Sequence, residues 1–380
     1  MRVGLNLVYL VPGETGGMEV YARELIPRLA GIEGLELTAF VNRETTDAGE
    51  GPWFDIPSQT VPVEARNRME WVRGEQQHLP GMAFRAGCEI MHSLASTAPL
   101  RGRFLRVTTI HDLHYKLVPQ AHFGLLSVGM RLLIPASARR SHRIIAVSHS
   151  TARDLETYLR VPPGKIDVVA QGVGRQDLAE PTPEVRLRSD LQLGERPILL
   201  CVAAKRPHKN LVRLIEAHAR LESANRPMLV VPGYPTPHER ELTERARELG
   251  TLEQIRLPRW LDQVDLEGLY AAAAAFVFPS LYEGFGLPVL EAMRRGVPVG
   301  CSDRGSLPEV AGEAALLFDP EDTGAIHAAL VRLLYDGRQR EQLRAAGPAR
   351  AALFTWEATA GATAEVYRRA LSRRNSPGPG

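Results

Sequence analysis

The stretch FVFPSLYEGFGLPVLEAMRRGVPV, residues 276–299, decides the fold of this chain. Its pattern predicts a buried strand ended by Pro279, then a glycine-rich loop, a short helix and a second strand. Pro288 suits the first helical position, where its missing N–H costs nothing, and Gly296 suits the position after the helix. A strand, a helix and a second strand in this order are typical of a parallel βαβ unit.

The loop in front of this helix is a candidate anion site. Gly284 and Gly286 carry no side chain, so a ligand can closely approach the unpaired N–H groups of the helix start. Glu283 lies in the loop and Glu291 lies inside the helix, a layout that suits a phosphate joined to a hydroxyl-rich group. The alternative is an ordinary βα turn with two solvated glutamates. Nothing in the spacing indicates a glycosidase dyad, in which two carboxyl groups face one bond.

Composition excludes several classes of protein. The 380 residues are too many for a typical single core and predict two domains. Lys and Arg number 46 against 44 Asp and Glu, and aromatic residues make up 6%, so we expect no nucleic-acid partner. Cys88, Cys201 and Cys301 lack C-x-x-C spacing, which argues against a zinc site or a disulfide framework and favours reduced cytosol.

The N-terminal run after Arg2, VGLNLVYLV, is predicted to be a first buried strand because no small-residue cleavage site of a signal peptide follows it. No apolar run approaches the roughly 18 residues of a spanning helix. We therefore expect a soluble cytoplasmic protein that at most rests on the inner face of a membrane.

Strand-like and helix-like segments alternate along the chain, which predicts an α/β fold of two doubly wound, mostly parallel sheets. The predicted strands are VGLNLVYLV, LTAFV, EIMHS, RVTTI and RIIAVS in the first half, then PILLCVA, PMLVVPG, QIRLP, AAFVFPS and VPVGCS in the second. The predicted helices cover 18–30, 68–86, 148–159, 209–222, 238–249, 325–335 and 356–373. The polar, Gly- and Pro-containing segment 172–195 is the best candidate for a linker. Ligands of such sheets bind outside the carboxyl ends of the strands.

The segment EGFGLPVLEAM resembles the E-x7-E motif of retaining family 4 glycosyltransferases. The resemblance covers nearly the whole chain, through GETGGMEVYARELIPRL, VTTIHDL, RIIAVSHSTARDL and VAAKRPHKNL in that order. It implies the GT-B architecture, in which two Rossmann-like domains face a central cleft. Residues 1–172 would bind the acceptor and 173–355 the nucleotide sugar, and helix 356–373 would cross back to the first domain. The tail 374–380 is expected to be disordered.

The resemblance also implies roles for the residues of this motif. Glu283 would lie beside the donor sugar, and Glu291 would hold the ribose of the nucleotide. The helix start would hold the diphosphate, and the loop and helix residues assigned to it are Gly284, Phe285, Gly286 and Leu287. In the family, backbone contacts from the segment RLPRW, residues 256–260, bracket the base, so the identity of the base cannot be deduced. Glu309 is expected to be a cap or a solvated residue.

A second basic turn, VAAKRPHKNL at 202–211, is predicted to run from a strand into a helix. Lys209 would neutralise the leaving diphosphate. The family pattern has Gly-Arg where this chain has Ala203 and Ala204, so Lys205 or Arg206 would supply the missing charge from a shifted position. The alternative is an exposed basic turn without a ligand.

Two motifs of the first half complete the predicted site. His111 follows the strand VTTI, and in the family the histidine of this His-Asp pair reaches the donor sugar, here as a neutral imidazole. A lone histidine is more often structural, and His114 is the weaker companion. Gly16 and Gly17, which do not form a dinucleotide G-x-G-x-x-G motif, would approach a ligand phosphate or the acceptor. The alternative is a plain βα turn.

A basic, partly apolar helix is expected over 66–86, with Arg66, Arg68, Arg73 and Arg85 interspersed among Trp71, Leu79, Met82 and Phe84. It could touch anionic lipid headgroups, although such a stripe is more often core on one side and water on the other. Pro80 and Gly81 are expected to kink or break it.

Together with these motifs, the resemblance implies a retaining glycosyltransferase that moves a hexosyl group from a nucleoside-diphosphate sugar, GDP-mannose or a UDP-hexose. The acceptor would be a saccharide, a lipid-linked saccharide or a small molecule, and neither a cofactor nor a metal ion is expected. The resemblance implies same-face attack, in which a leaving phosphate oxygen accepts the acceptor's proton. Two alternatives remain open: a GT-B-like sugar-nucleotide epimerase, which would need further acid/base residues, and a non-catalytic nucleotide-sugar binder. The oligomeric state is not predicted.

Overall fold

The computed structural model describes residues 1–118, 125–174, 180–259 and 261–375. This part of the chain divides into two compact units. The first comprises the described residues within 1–116, 122–172 and 355–380, and the second those within 117–121 and 173–354. Trp260 and residues 376–380 of the predicted tail lie outside the described residues, as do residues 175–179 of the predicted linker.

The first unit is built on a seven-stranded parallel sheet, with strand order β3-β2-β1-β4-β5-β6-β7. The strands are β1 Arg2–Leu7, β2 Glu36–Val41, β3 Ser58–Thr60, β4 Ile90–Ser93, β5 Leu105–Ile110, β6 Arg143–Ala146 and β7 Ile166–Val168. The helices over the same part of the chain are α1 Gly17–Ala30, α2 Arg43–Ala48, α3 Arg68–Arg73, α4 Leu79–Arg85, α5 His114–Leu117, α6 Leu125–Arg140 and α7 His149–Leu159.

The second unit is built on a six-stranded parallel sheet, with strand order β10-β9-β8-β11-β12-β13. The strands are β8 Ile198–Leu200, β9 Met228–Val230, β10 Ile255–Arg256, β11 Ala273–Phe278, β12 Val299–Ser302 and β13 Leu316–Phe318. The helices are α8 Glu184–Asp190, α9 Leu211–Ala219, α10 Glu239–Glu248, α11 Gln263–Ala272, α12 Leu287–Arg294, α13 Leu307–Ala311, α14 Thr323–Tyr335 and α15 Gly337–Ala351. The two parallel sheets confirm the predicted fold class.

The central strands are continuous apolar runs because helices cover both faces of a parallel sheet. In β11, the side chains of Phe276, Val277 and Phe278 are at most 1% exposed. Packing is equally tight in β1, where a Cβ on Gly4 would lie 2.7 Å from the terminal methyl group of Met91. A side chain at that position would therefore force the neighbouring side chains to move.

The last helix, α16 Trp356–Asn375, belongs to the first unit. The rings of Trp356 and Tyr21 have centroids 5.9 Å apart. The Tyr367 hydroxyl lies 2.7 Å from Nδ1 of His92, and the Thr359 hydroxyl donates to the Ala170 carbonyl at 2.8 Å. These contacts anchor the C-terminal helix on the first unit, as the GT-B prediction requires.

Several predicted elements differ in detail from the structure. The helix expected at 68–86 is interrupted by a π turn at Gly74–His78, in which the Leu79 N–H donates to the Gly74 carbonyl. This wider turn immediately precedes Pro80, which lacks the N–H that a regular helix would use. The segment 172–195 is not a plain linker, since it contains α8. The short strands β3, β7 and β13 were missed because none of them is a fully buried apolar run, unlike the equally short β8 and β9, which were predicted.

Candidate functional site

The loop between β11 and α12 has the predicted strand–loop–helix form. Gly286 caps α12 with a φ of 120°, a conformation that favours glycine, and no side chain caps the helix start. Pro288 lies in the first helical turn and Gly296 follows the helix with a φ of 67°, as predicted. Because no side chain caps it, this helix start is where the predicted anion would bind.

A second loop, which follows β12, packs against this glycine-rich loop and forms hydrogen bonds with its backbone. The fully buried Ser306 hydroxyl lies 3.0 Å from the Glu283 carbonyl oxygen and 2.6 Å from the Phe285 carbonyl oxygen. A Cβ on Gly305 would lie 2.8 Å from the same Glu283 oxygen. Sequence reasoning missed Ser306. In the same segment, the Glu309 carbonyl accepts a hydrogen bond from Arg350 at 2.6 Å.

Lys209 and Glu283 form an ion pair that the sequence did not predict. The Lys209 ammonium lies 2.5 Å from Glu283 Oε1, and the two side chains are only 16% and 11% exposed. The ammonium also lies 5.1 Å from the centroid of the Phe278 ring. The structure therefore brings together a lysine assigned to the diphosphate and a glutamate assigned to the sugar.

The turn that carries Lys209 is held by its neighbour, Asn210. Helix α9 begins at Leu211, directly after Asn210, which adopts a left-handed conformation with φ 58°. Its side-chain amide donates to the carbonyls of Pro279 at 3.1 Å and Pro320 at 2.7 Å. Asn210 thereby ties the turn after β8 to the end of β11, where the glycine-rich loop starts.

Lys205 and Arg206, the two candidates for the missing family charge, are placed very differently. The Lys205 side chain is fully buried, and its ammonium donates to the carbonyl oxygens of Gly233 at 2.6 Å and Pro258 at 2.5 Å. These contacts argue against a direct role of this ammonium at the diphosphate. The Arg206 side chain is exposed and forms no ion pair with the described residues.

Glu291 is half-buried on α12 and is oriented by aromatic and basic neighbours. The hydroxyl of the fully buried Tyr270 donates to Glu291 Oε2 at 2.8 Å. The Arg295 guanidinium lies 4.9 Å from the centroid of the Tyr270 ring and donates to the Glu291 carbonyl at 2.7 Å. It also forms an ion pair with Glu267. Burial lowers the pKa of Arg295 to about 10. Sequence reasoning missed Tyr270, which lies on α11, 21 positions before Glu291.

In the first unit, Gly16 and Gly17 lie at the start of α1. Gly16 caps this helix with a φ of 62°, and no side chain caps it. A Cβ at Gly16 or Gly17 would meet nothing within 4 Å, so this loop leaves open space around its backbone. The Glu19 carboxylate accepts a hydrogen bond from the Gly13 N–H at 2.8 Å and thereby closes the preceding loop.

His111 follows β5, as predicted, and the structure defines its tautomer. Nε2 lies 2.7 Å from the Leu94 carbonyl oxygen, which only accepts, so Nε2 carries the proton. Nδ1 accepts from the Gln171 side-chain amide at 3.1 Å. Burial lowers the pKa of His111, although the hydrogen bond to Leu94 and the charge of Asp112 oppose this shift. The imidazole is therefore neutral near pH 7, and both of its nitrogens are hydrogen-bonded.

Asp112 binds the neighbouring His114. Its carboxylate lies 2.8 Å from His114 Nδ1 and accepts from the His114 backbone N–H at 3.0 Å. Burial raises the pKa of Asp112, but the His114 contacts outweigh burial and hold the pKa below its ordinary value. Asp112 is therefore ionised near pH 7.

The two parallel sheets and the returning C-terminal helix place this protein in the GT-B class of α/β proteins. A "Glycosyltransferase Family 4" profile matches residues 15–176, and a "Glycosyl transferases group 1" profile matches residues 186–350. The O-antigen chain mannosyltransferase B of Escherichia coli is 34% identical over 266 residues, which cover 69% of this chain and 70% of that protein. The chain belongs to glycosyltransferase family 4, as the sequence motifs predicted.

Solved structures agree with this fold. Sucrose-phosphate synthase from Thermosynechococcus elongatus superposes with a TM-score of 0.78 and 22% identity over 98% of this chain and 100% of that chain. Anabaena HepE in complex with UDP-glucose superposes with a TM-score of 0.76 and 16% identity over 98% and 100% of the two chains. Among the described helices of the present protein, none has the length and hydropathy needed to cross a membrane.

Proposed function

We propose that this glycosyltransferase moves a hexosyl group, mannosyl first among the candidates, from a nucleoside-diphosphate sugar to an acceptor hydroxyl with retention of configuration. The observation that carries the proposal is the Lys209–Glu283 ion pair, whose charged atoms lie 2.5 Å apart. Glu283 lies three residues before Gly286, the N-cap of α12, where no side chain caps the helix. Support comes from the mannosyltransferase name of the E. coli relative and from the UDP-glucose bound by Anabaena HepE.

The donor diphosphate is proposed to bind at the first turn of α12 and at Lys209. An ammonium has three N–H donors, and one of them faces Glu283, so two remain for phosphate oxygens. The helix start and the lysine then oppose the charge that develops on the leaving diphosphate. Glu283 positions the sugar, and Glu291, oriented by Tyr270, accepts hydrogen bonds from the ribose hydroxyls.

The reaction is proposed to proceed by same-face attack, which rests on the family resemblance. The acceptor oxygen bonds to the anomeric carbon as the bond from that carbon to the phosphate oxygen breaks. The acceptor's proton passes to the leaving phosphate oxygen, so no enzyme nucleophile is consumed. Lys209 and the α12 start supply the positive charge, so this mechanism needs no metal ion.

The first unit is proposed to bind the acceptor, again on the resemblance. His111 stays a proposed contact to the donor sugar, and Gly16 and Gly17 stay proposed contacts to a phosphate or the acceptor. His111 must exchange a hydrogen bond before a ring nitrogen can meet a ligand, because Leu94 and Gln171 hold both nitrogens.

Peripheral contact of the first unit with an anionic membrane is a further part of this proposal. Met69 is 84% exposed and Phe84 is 59% exposed, and both lie in the basic segment 66–86. The Arg103 guanidinium lies 5.6 Å from the centroid of the Phe84 ring. Exposed apolar side chains among arginines suit the interface of an anionic bilayer.

A donor panel tests the proposed function. Purified protein is titrated with GDP-mannose, UDP-glucose and UDP-galactose, and each donor is then incubated with and without saccharide acceptors. The expected result is a new glycoside whose anomeric configuration, read by NMR coupling constants, matches that of the donor. Inversion would contradict the mechanism. An isomerised donor without acceptor would indicate an epimerase, and binding without any product would indicate a non-catalytic binder.

A further inference from the structure

The ammonium group of Lys205 lies where three loops of the second unit meet. Lys205 itself belongs to the loop after β8, and its side chain is 0% exposed. Its Nζ donates to the carbonyl oxygen of Gly233, in the loop after β9, and to that of Pro258, in the loop after β10. One side chain therefore connects the carboxyl ends of three adjacent strands, which follow the order β10-β9-β8 in the sheet.

Backbone hydrogen bonds also join these three loops directly to one another. The Lys205 N–H donates to the Tyr234 carbonyl at 3.1 Å, and the Gly233 N–H donates to the Pro258 carbonyl at 3.3 Å. Gly233 has a φ of 152°, and a Cβ there would collide with the Ala203 carbonyl oxygen. The Thr236 hydroxyl donates to the Lys205 carbonyl. Hydrogen bonds and close backbone contacts therefore pack these loops tightly around the lysine.

We propose that Lys205 is a positioning residue of the donor pocket, whose buried ammonium holds the loops after β8, β9 and β10 in the arrangement that receives the nucleoside of the donor. The inference rests on the proposed function. Ligands of parallel sheets bind at the carboxyl ends of the strands, and β8 lies beside β11, whose loop leads into α12. The three loops are thus adjacent to the proposed diphosphate site.

The charges around Lys205 explain why a buried ammonium is tolerated. Glu239, at the start of α10, places Oε2 3.9 Å from the Lys205 Nζ. Burial lowers the pKa of Lys205 to about 8, Glu239 opposes this shift, and Arg259 adds to it. The ammonium form predominates at pH 7, where its charge strengthens the hydrogen bonds to both carbonyl oxygens.

The buried position of Lys205 bears on the two alanines, Ala203 and Ala204, that stand where the family has Gly-Arg. The lysine next to these alanines does not replace the family arginine at the phosphates, because its ammonium is committed to carbonyl oxygens of neighbouring loops. Lys205 acts instead through the shape of the pocket. Its loss should therefore weaken donor binding more than it slows the transfer step.

The test compares Lys205→Met with the wild-type protein. Isothermal titration with GDP and with UDP gives the nucleotide Kd, and initial rates with varied donor and varied acceptor give separate KM values. Lys165→Met is the matched control, since the Lys165 ammonium also donates to two carbonyl oxygens, of Arg139 and Ser141 at 3.2 Å, but in the first unit. Circular dichroism and thermal unfolding show whether each variant is folded.

We expect Lys205→Met to raise the nucleotide Kd and the donor KM about tenfold, with kcat lowered less than about threefold and the acceptor KM unchanged. Lys165→Met should leave the nucleotide Kd at its wild-type value. A folded Lys205→Met protein with wild-type nucleotide Kd and donor KM overturns the inference while the proposed function stands. Wild-type protein that binds neither nucleotide and transfers no sugar overturns the proposed function, and the inference with it.

Hydrogen exchange of the wild-type protein provides a second measurement that does not depend on the variant's folding. GDP or UDP should protect the amides of 203–206, 232–236 and 256–258 together with those of 284–291. Protection of 284–291 alone, with the other three segments exchanging as in the nucleotide-free protein, would contradict the inference.

Discussion

The ion pair between Lys209 and Glu283 predicts a non-additive response to substitution. Lys209→Met leaves the Glu283 carboxylate, 11% exposed, without its partner at 2.5 Å. Breaking a fully buried pair costs about 3–5 kcal/mol, and the partial exposure of this pair reduces that to about 2–3 kcal/mol. Glu283→Gln keeps an amide oxygen for the ammonium, so it should cost about 1–2 kcal/mol.

The double variant removes both charges at once and therefore leaves no unpaired charge. We expect it to be less destabilised than the sum of the single variants by about 1–2 kcal/mol. Both variants that lack Lys209 should also lose about 10²–10³-fold in kcat, because the leaving diphosphate loses a fixed positive charge.

Urea unfolding of the four proteins measures the coupling, and transfer rates at saturating donor measure kcat. The control cycle uses Arg304 and Asp319, whose atoms lie 3.0 Å apart but whose side chains are 41% and 46% exposed, so its coupling should be about 0–1 kcal/mol. Stability effects of the Lys209 and Glu283 variants that add within about 0.5 kcal/mol would refute the reasoning about burial. A Lys209→Met protein with wild-type kcat would refute the assignment to the diphosphate.

Three further substitutions test buried polar groups, one in the π turn of the first unit and two at the site of the second unit. Burial raises the pKa of Glu75 from 4.5 to about 7, so the stability contributed by its protonated form is complete below pH 4.5 and is lost as the pH rises towards 7. The wild-type free energy of unfolding should therefore fall by about 3 kcal/mol over this range, and Glu75→Gln should remove the fall. Parallel stability profiles of the two proteins from pH 4.5 to 8 would contradict this. Tyr270→Phe removes the hydroxyl that orients Glu291 and should raise the donor KM about threefold to tenfold at nearly constant kcat; steady-state kinetics measure this, and an unchanged donor KM counts against the ribose role. Ser306→Ala removes the hydroxyl that binds two carbonyl oxygens and should lower the free energy of unfolding in urea by about 1–2 kcal/mol. The same substitution at Ser302, a fully buried serine at the end of β12, is the comparison.

Much of the fold was readable from local pattern. The block at 276–299 has its strand, its left-handed Gly286 and its short helix where the glycines and prolines predicted them. The glycine-rich start of α1 and the strand ending before His111 were predicted in the same way. Such features depend on neighbouring residues, because backbone conformation at Gly and Pro and apolar periodicity act over a few positions.

The partners of the site residues were not readable in this way. Lys209 and Glu283 are 74 positions apart, and Ser306 and the Glu283 carbonyl are 23 apart. Lys205 was predicted as a candidate for the missing family charge, yet its ammonium is buried against carbonyl groups 28 and 53 positions away. Charge and spacing along the chain carry no information on which loops become neighbours.

The sequence by itself determined the family, the two parallel α/β domains and the glycine-rich helix start, because motif order and local backbone preference specify these. The tertiary structure decided which side chains face one another. Strand order β10-β9-β8-β11-β12-β13 brings the loops after β8 and β11 side by side and pairs Lys209 with Glu283. The same order buries Lys205 among the loops after β9 and β10, where desolvation must be offset by carbonyl oxygens and Glu239.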